Sequence, residues 1–511
     1  MDIKTRLVYT FMKSRIRAIE KSFEEPMETQ ETQLRLILNE VGKTIYARKF
    51  GLDNNCSIRT FQDRCPINDY ESLSSYIIDM MQGQKNVLVP GRCDWFAQSS
   101  GTTSSRSKYL PVPRKHLQQC HFRGGSDTLW IYLHNRPDSH FFNTKGLVLG
   151  GSFKPVNIGL TAKAGDLSSI LIEKMPRLGN CIRVPHKKVL LMNEWETKME
   201  AIVQEVKDAN VGSLSGVPSW MLVMIKKVLA TKGCENLSEV WPNLEVFFHG
   251  GINFDPYREI YKELIPSQRM QYMETFNASE GFFGIQDDPS ISSMRLMLDY
   301  GVFYEFIPFD EVDSEQPSTL TLDKVSLHTP YAMVISTLGG LYRYKIGDLV
   351  SFDSLNPYRI KICGRTKCYI NAFGEELMVD NAEKAITEVS KLFDISIIEY
   401  TAAPLLMKEK GKGRHEWLIE FDADMLDKAT LHLLESKLDE KLRELNSDYD
   451  AKRYKDMTLL PLKITQLPRG TFHQWLERRG KLGGQHKVPR LSNTRNYYDS
   501  ILKSYQELTQ K

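Results

Sequence analysis

The first fifty residues alternate apolar and polar positions with the period of a helix. Val8, Met12, Ile16, Ile19 and Phe23 recur three or four residues apart, so they share one face. Leu34, Ile37, Leu38, Val41 and Ile45 make a second stripe, and Gly51 supplies a stop. From about residue 90 to residue 365 the period changes. Short runs rich in β-branched and aromatic residues alternate there with helix-patterned stretches. The runs include "GLVLGGS", "KKVLLM", "LEVFFHGG", "RMQYMETF", "GVFYEFIP" and "YAMVIST". Strands alternating with helices predict an α/β architecture. From "GVFYEFIP" onward less helix intervenes, which predicts a more antiparallel β subdomain.

Near Arg365 the rhythm changes again. A helix-patterned stretch, "MVDNAEKAITEVSKLF", precedes two strand-like runs, "ISIIEYTAAPL" and "HEWLIEFD". A long amphipathic helix follows, with Leu431, Leu434, Leu438, Leu442 and Leu445 on one face. A last strand, "LPLKITQL", leads into a Gly- and Arg-rich tail. The expected organisation is a large α/β domain over residues 1–364 and a small α+β domain over residues 365–511. A chain of 511 residues is too long for one core, which agrees with that division.

Composition narrows the function classes. Hydrophobic residues make up 41% of the chain and charged residues 26%, as in ordinary globular proteins. A net charge of +3 is small for this length and argues against nucleic-acid or polybasic membrane binding. The eight cysteines are scattered, without a CxxC pair or zinc spacing, and read as free thiols in a reducing compartment. No apolar run approaches the ~20 residues that cross a bilayer. The N-terminus has no secretory core. Its basic residues could suggest a mitochondrial presequence, but the apolar stripe fits a packed helix better. Cytoplasm is the expected location.

Five segments carry candidate chemistry. In "SSGTTSSRSK", residues 99–108, hydroxyls and a glycine offer donors to phosphate oxygens without Walker spacing. The competing reading is a polar surface turn. In "FNASEGFFG", residues 276–284, Glu280 follows a strand-like run, where a carboxylate suits Mg²⁺. The competing reading is a helix cap with Glu280 near the positive helix end. In "YRYKIGDLV", residues 342–350, Asp348 is placed to accept hydrogen bonds from a ribose diol. An ordinary Gly-Asp turn competes. In "GRTKCYINAFGEEL", residues 364–377, Arg365 can reach a ribose or phosphate oxygen, and Lys367 stands where the large domain ends. A charged linker competes. In "GKLGGQHKVPRL", residues 480–491, glycines would let a loop insert Lys487 into a site. A solvated basic tail competes.

The order of these segments resembles that of the acyl-adenylate-forming superfamily. More narrowly, the chain resembles the acyl acid amido synthetases best known from plants, which conjugate auxin, jasmonate or benzoates to amino acids. The resemblance rests on "SSGTTSSRSK" with "YLPVP" after it, "YRYKIGD", "INAFGEE", "NSDYDAKRYKD", "GTF" at residues 470–472 and "GQHKVPR". It runs from about Tyr46 to the C-terminus. It implies an adenylate-forming domain with a small mobile α+β domain after it, and ATP and Mg²⁺ as cofactors. It also implies residue roles. Ser99, Ser100, Thr102 and Thr103 would hold phosphates, with Lys108 closing the loop. Gly250 and Gly251 would let the backbone approach adenine, and Phe276 would stack on it. Glu280 would coordinate Mg²⁺. Asp348 would bind the ribose, assisted by Arg365. Lys367 would be the hinge. Lys487 would stabilise charge on the α-phosphate and acyl carboxylate as they join.

The sequence departs from the plant pattern at Asn277, where a small residue is usual, and at His486, where Tyr is usual. The expected reaction activates a small carboxylic acid as acyl-AMP and transfers the acyl group to an amine, expected to be an amino acid. One rival is a ligase of the same superfamily that uses coenzyme A or a carrier thiol. The other is a non-catalytic nucleotide-binding relative, against which the retained Glu280, Asp348 and Lys487 argue. Val217 and Trp220, in a Pro-started helical segment, are candidates for the acyl pocket, with plain core packing as the competing reading. None of the eleven histidines falls in a recognisable motif.

Overall fold

The computed structural model of the chain describes residues 1–99, 108–150, 156–157, 162–192, 194–252, 254–312, 314–365, 369–407, 412–422, 425–478 and 489–509. The N-terminal stripes form helices Ile3–Glu24 and Pro26–Val41. Asp2 caps the first by accepting from the N–H groups of Lys4 and Thr5, and Pro26 starts the second. Ile16, Ile19, Phe23, Leu34, Ile37, Leu38 and Val41 are buried, each contributing about 1.5–3 kcal/mol. The second stripe ends earlier than its spacing predicts. Gly42 terminates the helix, Ile45 opens a new one, Ile45–Phe50, and its side chain is exposed. Gly51, at φ +62°, closes that helix as expected. Gln30 docks the second helix: its amide donates to the Leu298 and Val302 carbonyls and accepts from Tyr304 N–H.

Among the described residues, fifteen strands build the larger unit, which comprises Met1–Ser99, Lys108–Gly251 and Lys262–Thr366. Four of them, β1 (Trp95–Ser99), β2 (Lys108–Pro111), β4 (Val156–Asn157) and β5 (Lys163–Gly165), form one sheet in the order β2-β1-β5-β4. The main sheet takes β3 (Lys145–Val148), β6 (Arg183–Val184), β7 (Val211–Gly216), β8 (Val246–Gly250), β9 (Gln271–Ala278), β10 (Gly281–Ile285), β11 (Met294–Leu296), β12 (Val302–Pro308), β13 (Pro330–Thr337), β14 (Tyr344–Leu355) and β15 (Tyr358–Arg365). Its order is β12-β13-β14-β15-β11-β10-β9-β8-β7-β3-β6. Pairs from β9 through β8, β7 and β3 to β6 are parallel, and the rest are antiparallel. The antiparallel strands are thus present as expected, but they continue the parallel half in one sheet. One expected strand is a helix: "KKVLLM" contains the helical turn Lys187–Leu190, of which only Leu190 is buried. A short apolar run does not distinguish a strand from a helical turn by period alone.

The smaller unit is built on Lys367–Lys511 together with Ile252–Tyr261. After the short pair β16 (Tyr369–Ile370) and β17 (Leu377–Met378), a three-stranded sheet follows of β18 (Ile397–Met407), β19 (Lys412–Phe421) and β20 (Lys463–Leu467). β18 pairs antiparallel with β19, and β20 parallel with it. Leu434, Leu438 and Leu442 of helix Lys428–Leu445 are buried. The motifs of this unit have structural work. Asn446 caps helix Ser447–Arg453 and donates to the Glu376 carbonyl. Tyr449 and Arg453 both bind Asp439, at 2.7 Å. The Glu420 carboxylate accepts from the N–H groups of Gly470 and Phe472. Glu375 holds Phe373 N–H with one oxygen and fully buried His415 with the other, each at 2.7 Å. A Cβ on Gly413 would stand 1.9 Å from the Phe373 ring, so only glycine fits there. Among the described residues no helix is long and apolar enough to cross a membrane, and the seven described cysteines are free thiols.

Candidate active site

Ligands of open α/β sheets bind beyond the carboxyl ends of parallel strands. At those ends the larger unit gathers several of the predicted residues. Gly250 ends β8 and stands opposite Thr275 of β9. A Cβ on Gly250 would fall 2.3 Å from the Thr275 carbonyl oxygen, so strand packing alone demands this glycine. Gly251 follows at φ +84°, a conformation that suits glycine. A Cβ there would stand 3.5 Å from Val217, the residue before the Pro-started helix Pro218–Lys232 that follows β7. Val217 and Trp220 are both half-buried. Phe276, next to Thr275, is buried, with its ring 5.1 Å from Phe283 in an edge contact.

Glu280 lies on a hairpin. Ala278 of β9 pairs with Gly281 of β10, so residues 279–280 form a two-residue turn. No helix starts here, which removes the helix-cap reading. The Glu280 side chain is half-buried. Its charge reaches Tyr344, at the start of β14, whose phenol is pushed well up by burial first and by Glu280 second. Asp348 lies four residues further along β14, about 13 Å at strand rise. It sits within the strand rather than in a turn, is 7% exposed, and stands opposite Arg365 of β15 in register. Gly347 before it has φ +91°. Arg343 of the same motif is structural. Its guanidinium pairs with buried Glu305 at 3.0 Å and donates to the carbonyls of Gln62 and Cys65.

The two ends of the hydroxyl segment, Ser99 and Lys108, are opposed across β1 and β2. The Lys108 ammonium lies 5.5 Å from the Tyr70 ring. Ser100, Thr102, Thr103, Lys367 and Lys487 lie outside the described residues.

Three buried groups near these elements carry no sequence motif. His116 is buried, and its ring stacks edge-on against His121 at 5.0 Å. The His121 Nδ1 lies 3.0 Å from the Asn277 Oδ1. Burial holds both rings neutral: it pulls His121 down to about 4, against the Asn277 hydrogen bond. His116 is pulled well down by burial and then by His121, against a hydrogen bond to the Glu280 backbone. Residues Leu117–Phe122 wind as a π-helix, whose i to i+5 pattern brings positions 116 and 121 together. An α-helical spacing separates them, so no periodicity in the chain marks the pair. Lys198, also buried, donates to the Gly150 carbonyl, and burial lowers its ammonium to about 8.

Comparison with known families settles the lineage. The model of the GH3 family N-terminal domain matches residues 15–270, that of the central domain residues 295–365, and that of the C-terminal domain residues 380–496. The chain belongs to the GH3 family. Similar GH3 relatives include the indole-3-acetic acid-amido synthetase GH3.4 of Arabidopsis thaliana, 22% identical over 93% of this chain and 91% of the relative. The jasmonoyl–L-amino acid synthetase JAR6 of Nicotiana attenuata is also 22% identical, over 95% of this chain and 96% of its own. The 4-substituted benzoates-glutamate ligase GH3.12 of Arabidopsis thaliana is 21% identical, over 90% and 92%. Among solved structures, the GH3.15 acyl acid amido synthetase in complex with 2,4-DB superposes with a TM-score of 0.60 at 17% identity, covering 96% of this chain and 95% of that one. A 2-hydroxyisobutyryl-CoA ligase superposes with a TM-score of 0.55 at 11% identity, covering 96% and 93%. This GH3 chain therefore has the fold of acyl-adenylate-forming enzymes, over essentially its whole length.

Proposed function

We propose that this GH3 protein is an AMP-forming ligase that joins a small carboxylic acid to an amino acid. The observation that carries the reading is a juxtaposition within one unit. The Gly250–Gly251 strand end and the Glu280 turn lie on the consecutive strands β8, β9 and β10 of one sheet, and the Asp348 strand β14 belongs to the same sheet beyond β11 and β15, in a chain of GH3 lineage. In the first half-reaction a carboxylate oxygen attacks the α-phosphorus of ATP, and pyrophosphate leaves. In the second, the amine nitrogen attacks the acyl carbon, AMP leaves, and the nitrogen loses its proton. Neither half needs a protein nucleophile. Both need positioning and charge neutralisation, which agrees with a set of hydroxyls, carboxylates and lysines.

Glu280 is assigned to Mg²⁺. Among the described residues no three His, Cys, Asp or Glu side chains group as a metal cage. Mg²⁺ suits such a place, because it is commonly held by one or two carboxylates plus substrate phosphates and waters. When bound, the ion neutralises phosphate charge. Ser99, Ser100, Thr102, Thr103 and Lys108 are assigned to the phosphates, and Phe276, Gly250 and Gly251 to adenine. Asp348, with Arg365, is assigned to the ribose, Val217 and Trp220 to the acyl group, and Lys487 to the α-phosphate. The small domain would move about Lys367 between the two halves. The enzyme would act on soluble small molecules in the cytoplasm.

Asp348 provides a test in nucleotide choice. A site built to bind both ribose hydroxyls leaves a polar group unpaired when one is absent. kcat/KM for 2′-deoxy-ATP should fall at least about tenfold below that for ATP, roughly 1.4 kcal/mol. Equal kinetics would remove Asp348 from the ribose. The reading as a whole is tested by incubating a panel of acids with ATP, an amino acid and coenzyme A together. Mass spectrometry should find an amide with AMP and pyrophosphate. A thioester as the sole acyl product would identify the protein as a coenzyme A ligase instead.

A further inference from the structure

The buried histidine pair beside the Glu280 turn has no task in the chemistry above. Nδ1 of His116 and Nε2 of His121 are buried without a hydrogen-bond partner among the described residues. Such an atom costs about 1–3 kcal/mol. An apolar side chain of similar size at either position would avoid that cost, so stability does not account for the imidazoles.

Their contacts do. The Nδ1 of His116 is unpartnered, and the ring is within hydrogen-bond reach of the Glu280 backbone. The same ring lies against the turn that joins β13 to β14. A Cβ on Gly339 would stand 3.1 Å from its Cδ2 and 3.3 Å from its Nε2. One ring is therefore wedged between the turn that carries Glu280 and the turn that leads into the strand of Asp348. Behind it, His121 packs edge-on and reaches Asn277 on β9, three residues before Glu280.

We propose that His116 is a positioning residue that fixes the Glu280 turn, with the His121–Asn277 couple holding its ring in place. The inference rests on the metal role proposed for Glu280. A group that orients a metal-bound carboxylate affects metal affinity about 10–100-fold while touching neither metal nor substrate.

Mn²⁺ binding in the presence of the α,β-methylene analogue of ATP, followed by electron paramagnetic resonance, reads this without turnover. His116→Phe should weaken Mn²⁺ at least about tenfold, with a melting temperature equal to or above that of the wild type. His116→Gln, whose amide nitrogen can stand near the place of Nε2, should recover Mn²⁺ affinity to within about threefold of wild type, less than 1 kcal/mol. If the phenyl ring prevents folding, His116→Leu carries the same expectation. Wild-type Mn²⁺ affinity in the apolar variant, beside a loss in Glu280→Gln, would overturn the positioning role and leave the metal role standing. A lowered melting temperature that Gln does not restore would also overturn it, as a structural role. Undiminished Mn²⁺ binding in Glu280→Gln would remove the metal role and this inference with it.

Discussion

Lys487→Ala is expected to slow acyl-AMP formation by a factor on the order of a hundred to a thousand, ~3–4 kcal/mol. The same variant, given chemically made acyl-AMP and an amine, should form amide at close to the wild-type rate. The asymmetry follows from where charge develops. Positive charge is needed while an anionic acyl oxygen approaches an anionic α-phosphate. The amide half starts from finished acyl-AMP and needs that charge less. The sequence supports a travelling lysine, since Lys487 follows Gly480, Gly483 and Gly484 in the smaller unit's stretch of chain. Glu280 and Asp348 belong to the larger unit. On the proposed assignment, a lysine that serves the α-phosphate from the small domain would act only with that domain closed. Rapid-quench measurement of both half-reactions on one purified variant checks this. Equal losses in both halves would make Lys487 structural or common to both steps. No loss in either would make it a solvated tail lysine, whose removal costs almost nothing.

Glu280→Gln should lower acid-dependent pyrophosphate release by about a hundredfold or more, the scale of one preorganised electrostatic contact. The substitution keeps shape and removes charge. The hairpin makes the test clean, because residues 279–280 form a turn and no helix depends on the carboxylate for its cap. Steady-state pyrophosphate release at saturating ATP, repeated across Mg²⁺ concentrations, is the measurement. Activity within a fewfold of wild type would take the metal role from Glu280.

Much of this was legible in the sequence, and the exceptions have physical reasons. The N-terminal helices and the leucine helix of the smaller unit were readable because each buries one stripe of period 3.6. Ile45 fitted the stripe by spacing and failed because Gly42 ends the helix before it. "KKVLLM" failed because a short apolar run fits both periods. Glu280 and Asp348 could be named but not resolved from their rivals. A Ser-Glu pair suits a cap or a hairpin turn, and a Gly-Asp pair suits a turn or a strand. Only pairing with β10 and β15 decides between them. The excursion of Ile252–Tyr261 into the smaller unit was invisible, since Tyr257 meets the Ala372 carbonyl 115 positions away. His116 and His121 were invisible for a different reason, because a π-helix sets their spacing. Arg343 stood inside a family motif, yet its work is a buried ion pair with Glu305.

The central claim is that one protein forms acyl-AMP and passes the acyl group to an amino acid. It is tested most directly by following ³²P between pyrophosphate and ATP across a panel of carboxylic acids, then adding amino acids to those that respond. Acid-dependent exchange, followed by formation of an amide with stoichiometric AMP once the amino acid is present, is the predicted result. Acid-dependent exchange with no amide from any amino acid, or no exchange with any acid, would contradict it.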